Sequence, residues 1–135
     1  MQEDPYYFEL SYYTLSHKGP DFIHQHLVDA YTAQIADEHT KPIAITYALA
    51  GLYLHLLKNY TGKEVQLAHM ALSKKSKVFE KINLPTYRGS ITVIDILKIP
   101  EGVERDHMIH AWCQTVWDAF AEEQQKIIEW TNKLL

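Results

Sequence analysis

IAITYALAGLYLHLLKNYTGKEVQLAHMAL, residues 43–72, is the stretch on which the fold turns. From Ile43 to Leu57 it is apolar apart from Thr46, Gly51 and His55. A helix of that length with no polar face has to be covered all round, in the middle of a bundle, in a membrane or against another chain. Crossing a membrane takes about 20 apolar residues. This run stops at Lys58, so the middle of a bundle is the expectation. Pro42 stands where a first helical turn accommodates proline. After the break at Asn59-Tyr60-Thr61-Gly62, the sequence Thr61-Gly62-Lys63-Glu64 matches a capping box. It starts a second helix whose apolar line is Val65, Ala68, His69 and Leu72.

Upstream, PYYFELSYYTLSH reads as an amphipathic helix that begins at Pro5 and ends before Lys18-Gly19-Pro20. Asp21 is expected to cap a helix running to about Ile35, with Ile23, Leu27, Ala30, Tyr31 and Gln34 at three- and four-residue steps. Asp37 to Thr40 is the turn. Downstream, the pattern is lost from Ser76 to Arg88, and Pro85 and Gly89 mark a surface crossing. Thr92 opens a short helix, TVIDILKI, which Pro100 stops. From about Val103 to Leu135 one long helix is expected, with Ile109, Trp112, Val116, Phe120, Ile127 and Leu134 on its inner side. At 1.5 Å per residue it would span roughly 45 to 50 Å. Its C-terminal half, rich in Glu122, Glu123, Gln124, Gln125 and Lys126, would then project or pair with another subunit through Trp130, Leu134 and Leu135. No alternation of period two and no internal repeat is present. The expected fold for residues 1–135 is all-α, a single-domain helical bundle of about five helices with a long C-terminal helix.

The 135 residues, 47% of them apolar, suffice for one buried core. Cys113 is the single cysteine and cannot form an internal disulfide, and the start lacks a basic-then-apolar signal pattern. A cytoplasmic location is the expectation. A net charge of -4 argues against a nucleic-acid surface. Lys74, Lys75, Lys77 and Lys81 read as a solvated helix end, and no basic recognition helix is evident. The partner expected is a second copy of the chain, with neither nucleic acid nor membrane.

Eight histidines drive the functional reading. Helices joined by short turns bring residues equally distant from the turn to one height. With residue 61 as midpoint, His55 lies opposite residue 67, near His69. With residue 39 as midpoint, His24 lies opposite residue 54 and His26 opposite residue 52. His24, His55 and His69 can thus share a layer, and His110 is the candidate fourth member because it stands beside Trp112 and Cys113. Three neutral imidazoles with an open fourth position are a catalytic-zinc arrangement, so a divalent transition metal, zinc first, is the expected cofactor. Tyr12, Tyr13, His26, Asp29 and Gln66 are candidates for the surrounding pocket and for orienting the ligands. Water at the open position would be acidified toward neutrality and support hydrolytic or transfer chemistry. Any one of these histidines, taken singly, reads first as a core residue bonded to a carbonyl, tyrosine or carboxylate. His24 and His26 project about 200° apart on a helix, so only one faces inward. His107 pairs with His110 at a solvated helix start; His17 and His39 fall in turns. Cys113 reads as an inert core thiol. No Ser-His-Asp arrangement is present, and Gly62-Lys63 alone is no phosphate loop.

The segments HQHLVDAYTAQ (24–34), GLYLHLLKNYTGKEVQLAHMAL (51–72), RGSITVIDIL (88–97) and IHAWCQTVW (109–117) together resemble an uncharacterised bacterial domain-of-unknown-function family. The resemblance runs from about Glu9 to Trp117. It implies a small helical domain, with His24, Asp29, Tyr31, Gln34, Gln66, His69 and Trp117 inside the recognisable stretches. Some relatives carry cysteine pairs ahead of the helical region, resembling a zinc-binding appendage; this chain has none, so a function housed there does not transfer. Two functions are therefore expected to compete. One is a metal or small-ligand site among the histidines, with hydrolytic or transfer chemistry. The other is a non-enzymatic interaction domain that dimerises through its terminal helix.

Overall fold

Asp4 begins the first helix by accepting the backbone N–H groups of Tyr6 (3.0 Å) and Tyr7 (3.1 Å), satisfying two donors that a helix start leaves open. The computed structural model describes residues 4–16, 22–75 and 78–135. Among these, α1 covers Pro5–Leu15, α2 His24–Ile35, α3 Pro42–Lys58, α4 Gly62–Ser73, α5 Val93–Leu97, α6 Val103–Ala119 and α7 Gln124–Leu134. A short 3-10 turn, Ala121–Glu123, joins the last two. The Asp21 cap, the Lys18-Gly19-Pro20 punctuation with His17, and Ser76 and Lys77 lie outside the described residues.

α3 takes the central place its composition demands. Ile45, Thr46 and everything from Ala48 to Leu54 are buried, and the helix packs against α2, α4, α6 and α7. Asn59 ends it in the left-handed conformation (φ 58°), and Tyr60 donates its N–H back to the Leu54 carbonyl at 3.0 Å. The capping box then closes in both directions: Thr61 Oγ1 accepts from Glu64 N–H (3.2 Å) and Glu64 Oε1 from Thr61 N–H (3.0 Å). A Cβ on Gly62 would overlap the Phe22 carbonyl, so only glycine lets this turn lie against the chain ahead of α2. Thr92 and Asp95 form a second capping box at α5.

The expected long terminal helix is corrected. It breaks at Phe120, which is buried at 1% exposure, and α7 folds back onto α3. Gln124 Nε2 donates to the Trp117 carbonyl at 3.0 Å. Glu123, equally buried, accepts the Asn83 N–H at 2.9 Å and pairs with Lys126 at 3.0 Å. These side-chain partners hold the break. The stretch rich in Glu and Gln is thereby an anchored corner rather than a projecting arm, and Trp130 lies near Tyr47 and Phe79.

Ahead of α5 the described chain from Val78 onward runs without helix, and Arg88 and Gln34 help to fasten it. Arg88 Nη1 donates to the Ala33 and Gln34 carbonyls (3.0 and 3.2 Å), filling the open end of α2, and its Nε donates to Pro85. Gln34 donates to the Ile91 carbonyl (2.7 Å) and accepts from Trp112 Nε1 (3.0 Å), joining α2, the crossing and α6. One continuous apolar cluster runs through all seven helices from Leu10 to Ile127. Among the described residues no helix is long and apolar enough to cross a membrane.

Candidate functional site

Three histidines from three helices meet at the end of the bundle where α3 turns into α4. His26 of α2 lies flat on His55 of α3, ring centroids 3.5 Å apart and planes 16° apart. His110 of α6 meets His55 edge-on, with Nδ1 of His110 3.2 Å from Nε2 of His55. At that distance one nitrogen carries the proton and the other the lone pair. The cluster floors a pocket of about 360 Å³ whose walls include Ile23, Asn59, Thr61, Asp106 and Ile109.

Burial sets the charge state here. It pushes His26 down to about 3, helped by the neighbouring His55 and His110. His55 is pushed down to about 4 by burial and by His110, against an opposing pull from a hydrogen bond to the Tyr60 carbonyl. Both rings are therefore neutral nitrogen donors at neutral pH. Nδ1 of His26 is buried without a partner, and the His26 side chain lines the pocket.

The structure redistributes the layer expected from turn geometry. His55 and His110 come together, and of the α2 pair it is His26 that faces inward. His24 turns away, its Nδ1 2.9 Å from Thr14 Oγ1. His69 lies away from the cluster, its Nε2 donating to the Tyr47 carbonyl at 3.0 Å. Tyr12 is 79% exposed and Gln66 half-buried on α4, neither lining the pocket. Tyr13 reaches the site indirectly, donating from Oη to Asp106 Oδ1 at 2.6 Å and accepting the Gly102 N–H at 3.1 Å. Asp29 is buried one turn along α2 from His26, its Oδ1 accepting from Gln25 at 3.1 Å. His107 and His39 are exposed, and Cys113 is a buried thiol that burial pushes up.

Residues outside the expected set complete the walls, above all Asp106 and the Asn59–Thr61 turn. The signal for Asp106 was its spacing: it precedes His110 by four residues, which puts both on one helix face. As they stand, no three His, Cys, Asp or Glu side chains among the described residues form a group ready to hold a metal ion. Two of the three imidazoles are stacked rather than aimed at one point.

Fold and pocket together define a small all-α bundle with an interhelical imidazole cluster open to solvent. Within that class, the chain belongs to the family of unknown function DUF5946, whose family model matches residues 4–121. No curated protein and no solved structure matches it.

Proposed function

We propose that the protein binds a divalent transition metal ion, zinc first, between His55 and His110, with His26 as the third ligand. The observation that carries this reading is the 3.2 Å between His55 Nε2 and His110 Nδ1 at the floor of a pocket. Two nitrogens on one tetrahedral zinc, each bonded at 2.0–2.1 Å, stand about 3.3 Å apart. A metal between them replaces one shared proton with two coordinated lone pairs. The neutral state of His26 and His55 supports it further, because no proton has to leave those rings for a metal to enter. A hydrogen bond to the Tyr60 carbonyl also holds His55, as second partners of metal-bound imidazoles commonly do. His26 joins by turning its ring off His55, bringing Nε2 to bear. The remaining coordination position faces the pocket, where bound water would be available for hydrolytic or transfer chemistry on a small substrate.

The competing interaction-domain reading expects internally bonded histidines and a long terminal helix that mediates dimerisation; His24 and His69 do have internal partners, while the terminal helix is broken and α7 packs on α3. Elemental analysis of the untagged full chain after incubation with zinc and desalting tests the proposal. About one zinc per chain is expected, lost in His55→Ala and in His110→Ala and kept in His69→Ala. Equal zinc in all four proteins, or none in the wild type, would show the imidazoles to be bonded only to one another.

A further inference from the structure

We infer that Asp29 is the positioning partner of His26, its Oδ2 accepting the His26 Nδ1–H when Nε2 takes the metal; this rests on the reading above. Two features that destabilise the metal-free fold meet one turn beneath the imidazole cluster. Asp29 is 3% exposed, and its Oδ2 has no hydrogen-bond partner. Gly51 interrupts the middle of the most apolar helix, where glycine is entropically unfavourable. A Cβ at Gly51 would overlap Asp29 Oδ2 and lie 3.1 Å from His69 Nε2. Glycine there makes the space that the carboxyl occupies. A fold selected for packing alone would close this space with an apolar side chain, and such departures concentrate where a site requires them.

His26 Nδ1 is the other half. It too is buried without a partner, and it stands three residues before Asp29 on the buried face of α2, about 4.5 Å of helix rise away. Its chemistry complements Oδ2, one supplying an N–H and the other an acceptor. The pairing across helices agrees: His26 lies on His55, and Asp29 lies against Gly51, four residues earlier on α3. His69 is not the missing partner, because its Nε2–H goes to Tyr47. A carboxylate behind an imidazole fixes the ring's orientation and tautomer and raises its basicity, and losing such a partner typically lowers metal affinity 10- to 100-fold.

The test is zinc titration of the full chain by calorimetry, wild type beside Asp29→Asn, with thermal melting of both metal-free proteins. The expected result is zinc affinity lowered about 10- to 100-fold in the variant, with a melting temperature no lower than the wild type's. A purely structural Asp29 would lower the melting temperature and leave the affinity unchanged, which overturns the inference alone. No zinc binding by the wild type overturns this inference together with the reading it rests on. Should Asp29→Asn fail to fold, Asp29→Ser leaves a smaller side chain in the same space above Gly51, and the same comparison is made with it.

Discussion

His55 Nε2 and His110 Nδ1 stand 3.2 Å apart, the spacing on which the proposed metal site rests, and burial holds the His26 and His55 rings neutral. Their titration has a measurable consequence. In the unfolded chain His26 and His55 take up protons near 6.5; in the fold they do so only at about 3 and about 4. Between those values the unfolded state binds more protons, so stability is full above about pH 6.5 and falls as the pH drops toward 4. Replacing His55 by Gln should flatten that acid limb by up to about 1.4 kcal/mol per pH unit, read from urea unfolding at several pH values. An unchanged slope would mean that His55 is not held neutral. Asp29 acts in the opposite direction. Burial raises its carboxyl well above the usual range, with Gln25 pulling the other way; His26, three residues earlier on α2, and Tyr7, His69 and Cys113 are the other titratable groups nearby. Above the ordinary carboxylate pKa of 3.8 the fold holds a proton that the unfolded chain has lost, so this residue subtracts stability as pH rises. Asp29→Asn should therefore gain on the wild type with rising pH, by up to about 1.4 kcal/mol per unit until the buried carboxyl ionises. A difference independent of pH would contradict a neutral Asp29.

Helix starts were legible because their signals are local. Pro42 with the apolar run behind it, the Thr61–Glu64 box and the Thr92 start each depend on residues within one turn of each other, and each stands where the sequence places it. Thr61→Ala should cost about 1 kcal/mol in chemical unfolding, and no loss would mean that the box is redundant. The break at Phe120 was not legible, since nothing in its immediate sequence forbids helix. What stops α6 is tertiary: a buried Phe120, Gln124 bonded to the Trp117 carbonyl, and Glu123 reaching Asn83 some forty residues away. Phe120→Ala should accordingly cost about 3–5 kcal/mol. A loss under 1 kcal/mol would point to a corner held by the polar bonds alone.

Across the whole molecule, the all-α bundle followed from one helix too apolar to have a wet side. The histidine layer was only half legible for the complementary reason. Turn geometry fixes height along an axis and says nothing about rotation around it. His26 was placed opposite residue 52 and meets His55, while His69, expected beside His55, points to Tyr47 and Gly51. His110 could be ranked only by its neighbours, because α6 reaches the site after a long crossing. The same architecture changes the consequence of shortening the chain. α7 supplies Ile127 (1% exposed) and Thr131 (0%) and covers α3, so truncation after Glu123 should abolish a cooperative thermal transition. A truncated chain that still melts cooperatively near the wild-type temperature would show α7 to be an accessory.

The proposed metal site stands or falls with the His26, His55 and His110 imidazoles as ligands. X-ray absorption at the zinc edge of the untagged, zinc-loaded chain tests it most directly. Three imidazole nitrogens at about 2.0–2.1 Å are expected, falling to two in His110→Ala if that variant retains any metal. An oxygen-dominated shell, or a wild-type spectrum that matches His110→Ala, would contradict it.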